Sequence, residues 1–106
     1  MNDEESFTRR PYDEYELRIL FNICRRGRWC NKHINENQLL SGLPKDKHGT
    51  AKNSLNELYR IGMLKRYKSQ GRNDYCIPKA NRDAVLRILR HYEKQFKFIQ
   101  YLEYIK

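Results

Sequence analysis

The spacing of the cysteines and histidines decides whether the chain can hold a metal ion. Cys30 and His33 are three residues apart, and Cys24 lies further upstream. A structural zinc site normally has four ligands in closely spaced pairs, and no second Cys/His pair follows these residues. Cys24 also falls on the apolar face of a predicted helix. We therefore predict no metal site, and we interpret Cys24 and Cys76 as small core residues.

Catalytic chemistry has no support in the sequence. The three histidines are scattered, and none has a nucleophile or carboxylate at a spacing typical of a catalytic site. The chain lacks a glycine-rich phosphate loop and the Gly-x-Ser-x-Gly and His-Glu-x-x-His motifs. We expect no enzymatic activity and no cofactor. Thiol sensing by Cys30 is an open alternative for that residue.

Positive charge is the strongest chemical signal in the chain. The 106 residues include 22 Lys and Arg against 13 Asp and Glu, which gives a net charge of +9. Nearly half of the acidic residues precede Leu17, so the rest of the chain is more basic still. Such a surface attracts polyanions, which include nucleic acid, anionic lipid and acidic protein.

Length and hydropathy restrict the class of protein further. A chain of this length is expected to form one domain. No apolar run approaches the roughly 18–20 residues that cross a membrane. The acidic segment Met1–Glu5 lacks the apolar stretch of a secretory signal. Three irregularly spaced cysteines predict no disulfide framework and favour the cytoplasm.

The N-terminal part of the chain is predicted to contain a tail, a helix and a strand. Residues 1–11 have no apolar periodicity, and we expect a flexible tail. A helix should begin near Asp13, because Glu16 three residues on completes a capping box, and Gly27 is a natural stop. Residues 29–34 are predicted to form a short strand that leads into the next helix.

Two further helices are predicted in the middle of the chain. A short helix should follow Asn35, whose side chain can cap the amide of Gln38. The next helix is expected near residues 50–61, with Gly62 at its end. Three- and four-residue spacing places on its inward face the residues Ala51, Leu55 and Leu58.

A β-hairpin and a long helix are predicted to complete the chain. Residues 64–78 contain two short alternating segments around the turn-rich tetrapeptide 70–73, which is typical of a hairpin. From about Asn81 to the end, apolar residues recur at helical spacing. The residues of this stripe are Val85, Leu89, Tyr92, Phe96 and Ile99.

The order of these elements and two segments resemble the winged helix-turn-helix family. In Ile34–Leu43 a capped short helix ends in a small-Gly-apolar turn. In Leu55–Leu64 a helix ends in two leucines three apart, followed by a Gly-apolar-Leu start to the hairpin. Gly71-Arg72 falls where such proteins have the tip of the wing. The resemblance implies an α+β, mainly α fold, a winged helix-turn-helix domain over 12–90 with a long C-terminal helix.

One departure from the family affects the turn before the third helix. The stretch between Leu43 and Ala51 is about three residues longer than the tight turn usual in the family. Either this turn is a loop, or Pro44 starts an extra helical turn. The register of the DNA-facing residues depends on the answer, because a shift of one residue rotates a helix by about 100°.

The resemblance implies sequence-specific binding to double-stranded DNA, as in small prokaryotic, archaeal or viral transcriptional regulators. A recognition helix near 50–61 would read base edges in the major groove, and a wing near 64–78 would contact the backbone or the minor groove. Cations at the start of the helix would meet phosphates. The predicted DNA-contacting residues are Lys45, Lys47, His48, Thr50, Lys52, Asn53, Asn56, Arg60, Lys65, Arg66, Lys68 and Arg72.

The C-terminal helix also predicts a homodimer. A winged domain needs only the first turns of this helix for its core, so the apolar stripe in the 91–106 extension would pair with a second copy. The predicted interface consists of Tyr92, Phe96, Ile99 and Leu102. The alternative is that this segment folds back on its own domain and packs against Trp29 or the first helix.

Two alternatives to a DNA-binding regulator remain open at the level of sequence. Some proteins of this fold bind other proteins, because fold does not determine function. A basic domain can also bind nucleic acid without sequence preference, and structured RNA is then a possible partner. No small-molecule ligand or membrane contact is indicated.

Overall fold

The architecture is α+β and mainly helical, as predicted, in the residues 3–99 that the computed structural model describes. Within that range, no helix is long and apolar enough to cross a membrane. In chain order the elements are α1 (Asp3–Arg9), α2 (Glu14–Arg25), β1 (Ile34–Asn35), α3 (Glu36–Leu40), α4 (His48–Arg60), β2 (Lys65–Ser69), β3 (Arg72–Cys76) and α5 (Arg82–Tyr92). Single 3-10 turns precede α4 and α5, at Lys45–Lys47 and Lys79–Asn81.

Helix α2 lies at the centre of the core and contacts α3, α4 and α5. Its predicted capping box is confirmed: Asp13 Oδ1 accepts from the Glu16 amide at 2.8 Å, and Glu16 Oε1 accepts from the Asp13 amide at 3.0 Å. The stop at Gly27 is confirmed by its positive φ of 64°, a conformation that favours glycine. The apolar side chains of α2 are fully buried at Leu17, Leu20 and Ile23.

The three strands form one antiparallel sheet in which β3 is central and the order is β1-β3-β2. The predicted hairpin is confirmed, although its turn is shorter than the tetrapeptide 70–73. The turn consists of Gln70 and Gly71, whose φ angles are 52° and 78°. Two residues with positive φ are typical of a type I′ hairpin turn. Arg72 therefore belongs to β3, directly after the turn.

The segment between α3 and α4 is an extra helical turn rather than a loop. Pro44 precedes the 3-10 turn, and the Lys47 amide donates to the Pro44 carbonyl at 2.9 Å. This turn continues directly into α4, which therefore begins at His48, two residues before the predicted start. The additional residues are absorbed without changing which residues of α4 face the core.

The prediction of a flexible tail over residues 1–11 is wrong for the described part. Residues 3–9 form α1, which packs against α5. The Phe7 side chain is buried, and the Tyr12 hydroxyl donates to the Phe7 carbonyl at 2.6 Å. A seven-residue helix with one buried apolar side chain has no periodicity to detect, so only its tertiary contacts reveal it.

The prediction of a long C-terminal helix is also wrong. Helix α5 ends at Tyr92, residues 93–95 form a turn, and residues 97–99 form a short 3-10 turn. The Phe98 ring packs edge-on against Phe21 of α2 with their centroids 5.8 Å apart. The alternative in which this segment folds back on the first predicted helix is therefore the one found, because it buries these aromatic rings within the same chain.

The apolar stripe predicted to form a dimer interface is not continuous, because the helix ends at Tyr92 and the following residues fold back on the domain. Ile99 is fully buried in the core of its own chain. The Tyr92 hydroxyl accepts from the Tyr12 amide at 3.1 Å, and Phe96 is half-buried beside Tyr92. Leu102 lies outside the described residues. Dimerisation itself stays a prediction, but it loses the continuous helical stripe on which it was based.

The prediction that the chain contains no disulfide is wrong as well. Cys30 and Cys76 are bonded, with their Cα atoms 4.9 Å apart. The bond fastens the end of β3 to the loop after α2, where the Ile77 amide also donates to the Arg28 carbonyl at 3.0 Å. The two cysteines are 46 residues apart, so their proximity is a property of the tertiary structure. Cys76 is thus a buried disulfide partner rather than a free core thiol.

Candidate nucleic-acid interface

Helix α4 presents a polar face directly opposite the core. Ala51, Leu55 and Leu58 are fully buried against α2 and its neighbours. At 100° per residue, the side of the helix opposite these residues carries Asn53, Asn56 and Arg60, all of which are exposed. Three polar side chains at this spacing form one stripe, which is suited to face a groove of a duplex.

Two further predicted residues flank this stripe on opposite sides. Thr50 and Lys52 are exposed near the beginning of α4 and are about 200° apart around the helix axis. Lys52 lies on the same side of α4 as Tyr59, which contacts the hairpin through Arg66. The lysine is therefore on the side of the hairpin, whereas Thr50 is on the far side.

The 3-10 turn before α4 adds two exposed cations and one anchored ring. Lys45 and Lys47 are exposed. His48 is half-buried, and its Nε2 lies 3.0 Å from the Leu43 carbonyl oxygen. This contact holds the turn against the end of α3, so the His48 ring supports the turn rather than extending from it.

The hairpin places three more predicted cations on the surface. Lys65 and Lys68 of β2 are exposed, and so is Arg72 beside the turn. Arg72 Nε donates to Asp74 Oδ1 at 3.1 Å. The Arg72 side chain is 52% exposed, whereas that of Asp74 is 13% exposed. A phosphate that binds the Arg72 guanidinium would therefore compete with a partly buried carboxylate.

Arg66 is different, because it joins the hairpin to α4. Its Nη2 donates to Asn56 Oδ1 at 2.6 Å, and its Nε donates to the Tyr75 hydroxyl at 3.1 Å. Its guanidinium carbon lies 4.0 Å from the centre of the Tyr59 ring. Burial raises the pKa of the Tyr75 hydroxyl above its usual value, and the Arg66 charge partly offsets that rise. Arg66 thus positions the two elements relative to each other.

Two residues of the exposed α4 stripe already have side-chain partners within the chain. Asn56 accepts from Arg66, and Arg60 donates to both carboxylate oxygens of Glu57 at 2.9 and 2.5 Å. The Arg60 hydrogen bond lowers the pKa of the Glu57 carboxyl. Within the described residues, the side chains of Asn53 and Lys52 make no such hydrogen bond or ion pair, and both are exposed along α4. Base reading by Asn56 or Arg60 requires exchange of these partners.

The resulting surface is continuous and strongly basic. Residues 45–74 contain eight Lys and Arg against three Asp and Glu. Because Arg66 contacts Asn56 directly, the exposed stripe of α4 and the hairpin border each other. The structure therefore brings α4 and the hairpin together through Arg66, which contacts both Asn56 and Tyr59.

Sequence reasoning missed the aromatic residues of this surface. Tyr59 is exposed at the end of α4, and Tyr67 is exposed on β2. The ring of Tyr67 stacks on His33, with 4.2 Å between centroids and 7° between planes. The sequence could have indicated Tyr59, because this residue directly follows Leu58 and so lies at the edge of the apolar stripe formed by Leu55 and Leu58. For Tyr67 and His33, 34 residues apart, only the sheet brings the rings together.

The disulfide also decides the chemistry of the residues considered for a metal. Cys30 is bonded to Cys76 and has no thiolate to offer a metal. Cys24 is buried in the core, where burial raises its pKa to about 12. In the part of the chain described here, residues 3–99, three or more His, Cys, Asp or Glu side chains do not converge as metal ligands.

Comparisons with models of known protein families, with curated proteins and with solved structures found no match to this chain.

Proposed function

We propose that this protein is a winged helix-turn-helix protein that binds double-stranded DNA sequence-specifically, as a transcriptional regulator. In this proposal α3 and α4 form the helix-turn-helix, α4 is the recognition helix, and the β2–β3 hairpin is the wing. The order of the elements and the central position of β3 in the sheet support this assignment. The extra 3-10 turn at Lys45–Lys47 replaces the tight turn usual in the family.

The observation that carries the proposal is the shared position of the α4 stripe and the basic hairpin. Asn53 and Asn56 are directed away from the core, and Arg66 connects Asn56 to β2. A helix in the major groove needs polar side chains that can reach base edges, and Asn can pair with adenine in a bidentate manner. A neighbouring cationic hairpin neutralises phosphates and fixes the register of the helix on the duplex.

The first test is a titration of the purified chain into labelled random-sequence duplex DNA at two salt concentrations. We expect salt-sensitive binding, because each phosphate contact releases counterions and steepens the dependence on salt. A double-stranded RNA competitor separates the two nucleic acids. Displacement of the DNA by equimolar RNA would assign the surface to RNA, and absence of binding at low salt would contradict the proposal.

The second test removes two cations from the proposed interface. We expect Lys52→Ala with Arg72→Ala to weaken binding at least about tenfold and to flatten the salt dependence, which scales with the number of phosphate contacts. Thermal stability should not change, because both side chains are exposed. The matched control is Arg90→Ala with Lys94→Ala, which removes the same charge at and beyond the end of α5. An equal loss of DNA affinity in both double variants would show that the effect depends only on net charge and not on the position of the cations.

Binding to a protein partner is the competing function. A surface that binds a protein is expected to carry few charged residues at its centre. The eight Lys and Arg of residues 45–74 argue against such a surface. The DNA titration separates the two functions, because a module that binds only protein would not bind the duplex at low salt.

A further inference from the structure

Two tyrosines on the surface are not accounted for by the binding of a regular duplex. Among the large hydrophobic side chains of the described residues, Tyr59 and Tyr67 are the exposed ones, at 43% and 39%. Other aromatic rings such as Tyr75 and Phe7 are buried. Exposed aromatic rings next to cations are characteristic of surfaces that stack nucleobases.

Both rings are held in place by a neighbour. The Arg66 guanidinium lies 4.0 Å from the centre of the Tyr59 ring, and the His33 ring stacks on Tyr67 at 4.2 Å. A ring fixed in this way loses little conformational entropy when a flat ligand stacks on it. The two tyrosines are therefore preorganised as stacking platforms.

The two tyrosines line one open hollow of about 600 Å³ beside β2. Its apolar surface includes Leu64 and Pro78. Its cations are Arg60, Lys65 and Arg66. An apolar hollow with aromatic walls and a cationic rim fits a ligand that is flat and carries negative charge, and a nucleotide combines both properties.

The hollow is continuous with the proposed DNA interface. Arg60 lines the hollow and also ends the exposed stripe of α4. Arg66 lines the hollow and contacts Asn56 in that stripe. A strand that leaves a duplex bound at α4 would therefore reach the tyrosines without crossing an acidic surface.

We infer that this hollow binds an unpaired nucleotide, with its base stacked on Tyr59 or Tyr67 and its phosphate held by the surrounding cations. The inference rests on the proposed function and narrows its ligand to a duplex adjoined by a single strand, such as a tailed or forked end. The Arg66 and His33 contacts on the rings leave the tyrosines ordered before the ligand arrives.

The test compares three DNA ligands that share the same duplex. The first is blunt, the second has a short thymidine tail, and the third has an abasic tail with the same number of phosphates. Fluorescence anisotropy should show that the thymidine-tailed duplex binds about tenfold more tightly than the abasic one, a gain typical of stacking on one base. Equal affinity for the two tailed ligands would overturn the inference.

Variants then assign the preference to the rings. We expect Tyr59→Ala with Tyr67→Ala to remove the preference for the thymidine tail, measured as the ratio of the affinities for the thymidine-tailed and abasic-tailed duplexes. This ratio cancels any loss of duplex affinity that follows from removing the Arg66–Tyr59 contact. Tyr59→Phe with Tyr67→Phe keeps both aromatic faces and should retain the preference. A tail preference that survives the alanine variant would place the bases elsewhere and contradict the inference.

The failure of the proposed function would look different. Binding of the blunt duplex without a tail preference supports the proposed duplex binding and overturns the inference that the hollow binds a nucleotide. Binding of a tail in the absence of blunt-duplex binding supports the hollow and overturns the duplex proposal. Poly-glutamate is the competitor that tests for an acidic protein segment. If it displaces the tailed DNA from the wild-type chain but does not bind the alanine variant, the hollow would be assigned to an acidic protein segment and the inference overturned.

Discussion

At the scale of single residues, the cations of this surface fall into two groups. Lys52, Lys65 and Lys68 are exposed and can adjust to a phosphate. Arg66 is held by two hydrogen bonds and a ring contact within the chain. Its planar guanidinium can make these contacts together, which an ammonium group cannot do. Under the proposed function, Arg66 would therefore contribute to DNA binding through the arrangement of α4 and the hairpin.

The first prediction concerns this positioning role. Arg66→Ala should lower the free energy of unfolding by about 1–2 kcal/mol, since hydrogen bonds to a charged group contribute on that order. Arg66→Lys restores the charge without the planar geometry, so its stability should resemble that of the alanine variant. Chemical denaturation measures both. Lys68→Ala on the same strand is the control, with an expected change within about 0.5 kcal/mol. Full recovery of stability in the lysine variant would contradict the positioning role.

The second prediction concerns the state of the three cysteines. Cys24 is buried with a pKa of about 12, so it carries no reactive thiolate near pH 8. Cys30 and Cys76 are bonded. Mass spectrometry after iodoacetamide treatment should find no adduct on the native chain and one after denaturation without reductant. Denaturation with reductant should give three adducts, and labelling of the native chain would disprove the assignment.

At the scale of elements, the disulfide is the strongest constraint on the hairpin. It connects Cys76 at the end of β3 with Cys30 in the loop after α2. Strand β1 has only two residues, Ile34 and Asn35, so it supplies few hydrogen bonds to hold β3 in place. The covalent bond complements this short pairing and fixes the base of the hairpin.

The third prediction follows from this constraint. Reduction of the bond should lower the free energy of unfolding by about 2–4 kcal/mol, because the cross-link restricts the unfolded chain. Urea denaturation with and without a phosphine reductant measures the loss. Cys30→Ser should show the lower stability and should no longer respond to the reductant. A wild-type chain whose stability ignores the reductant would count against the bond.

At the scale of the whole molecule, segments near both ends of the described residues contribute to the core. Phe7 on α1 is buried, and Ile99 is fully buried beyond α5. Tyr92 of α5 accepts from the Tyr12 amide, so the N-terminal segment and α5 are joined directly. This arrangement completes the core within one chain, where the sequence predicted that a second copy would cover the apolar stripe.

The fourth prediction separates these two arrangements. Ile99→Ala should cost roughly 2–5 kcal/mol of unfolding free energy, as for other large-to-small changes in a core. The molar mass of the native chain by light scattering should not change, because Ile99 contacts its own core. Gln95→Ala, which alters an exposed side chain, is the control. A fall in molar mass without loss of stability would instead restore the helix-pairing interface.

The elements that could be predicted from the amino-acid sequence are those whose signals are local. The Asp13 capping box, the positive φ at Gly62 and the stripe of Ala51, Leu55 and Leu58 depend on neighbours within about one helical turn. Their energies are decided by backbone geometry and by burial of one face. For that reason the bounds of α2, α4 and the hairpin were predictable within a few residues.

Features that join residues far apart in the chain could not be predicted, because they depend on the three-dimensional fold. The Cys30–Cys76 bond, the Tyr67–His33 stack and the Arg66–Asn56 contact depend on how the sheet is placed against the helices. The end of α5 at Tyr92 depends on a core that accepts Phe98 and Ile99 from the returning chain. Apolar spacing is the same whether a side chain covers its own core or a partner's. The three-dimensional arrangement therefore makes that choice, by burying these side chains within a single chain.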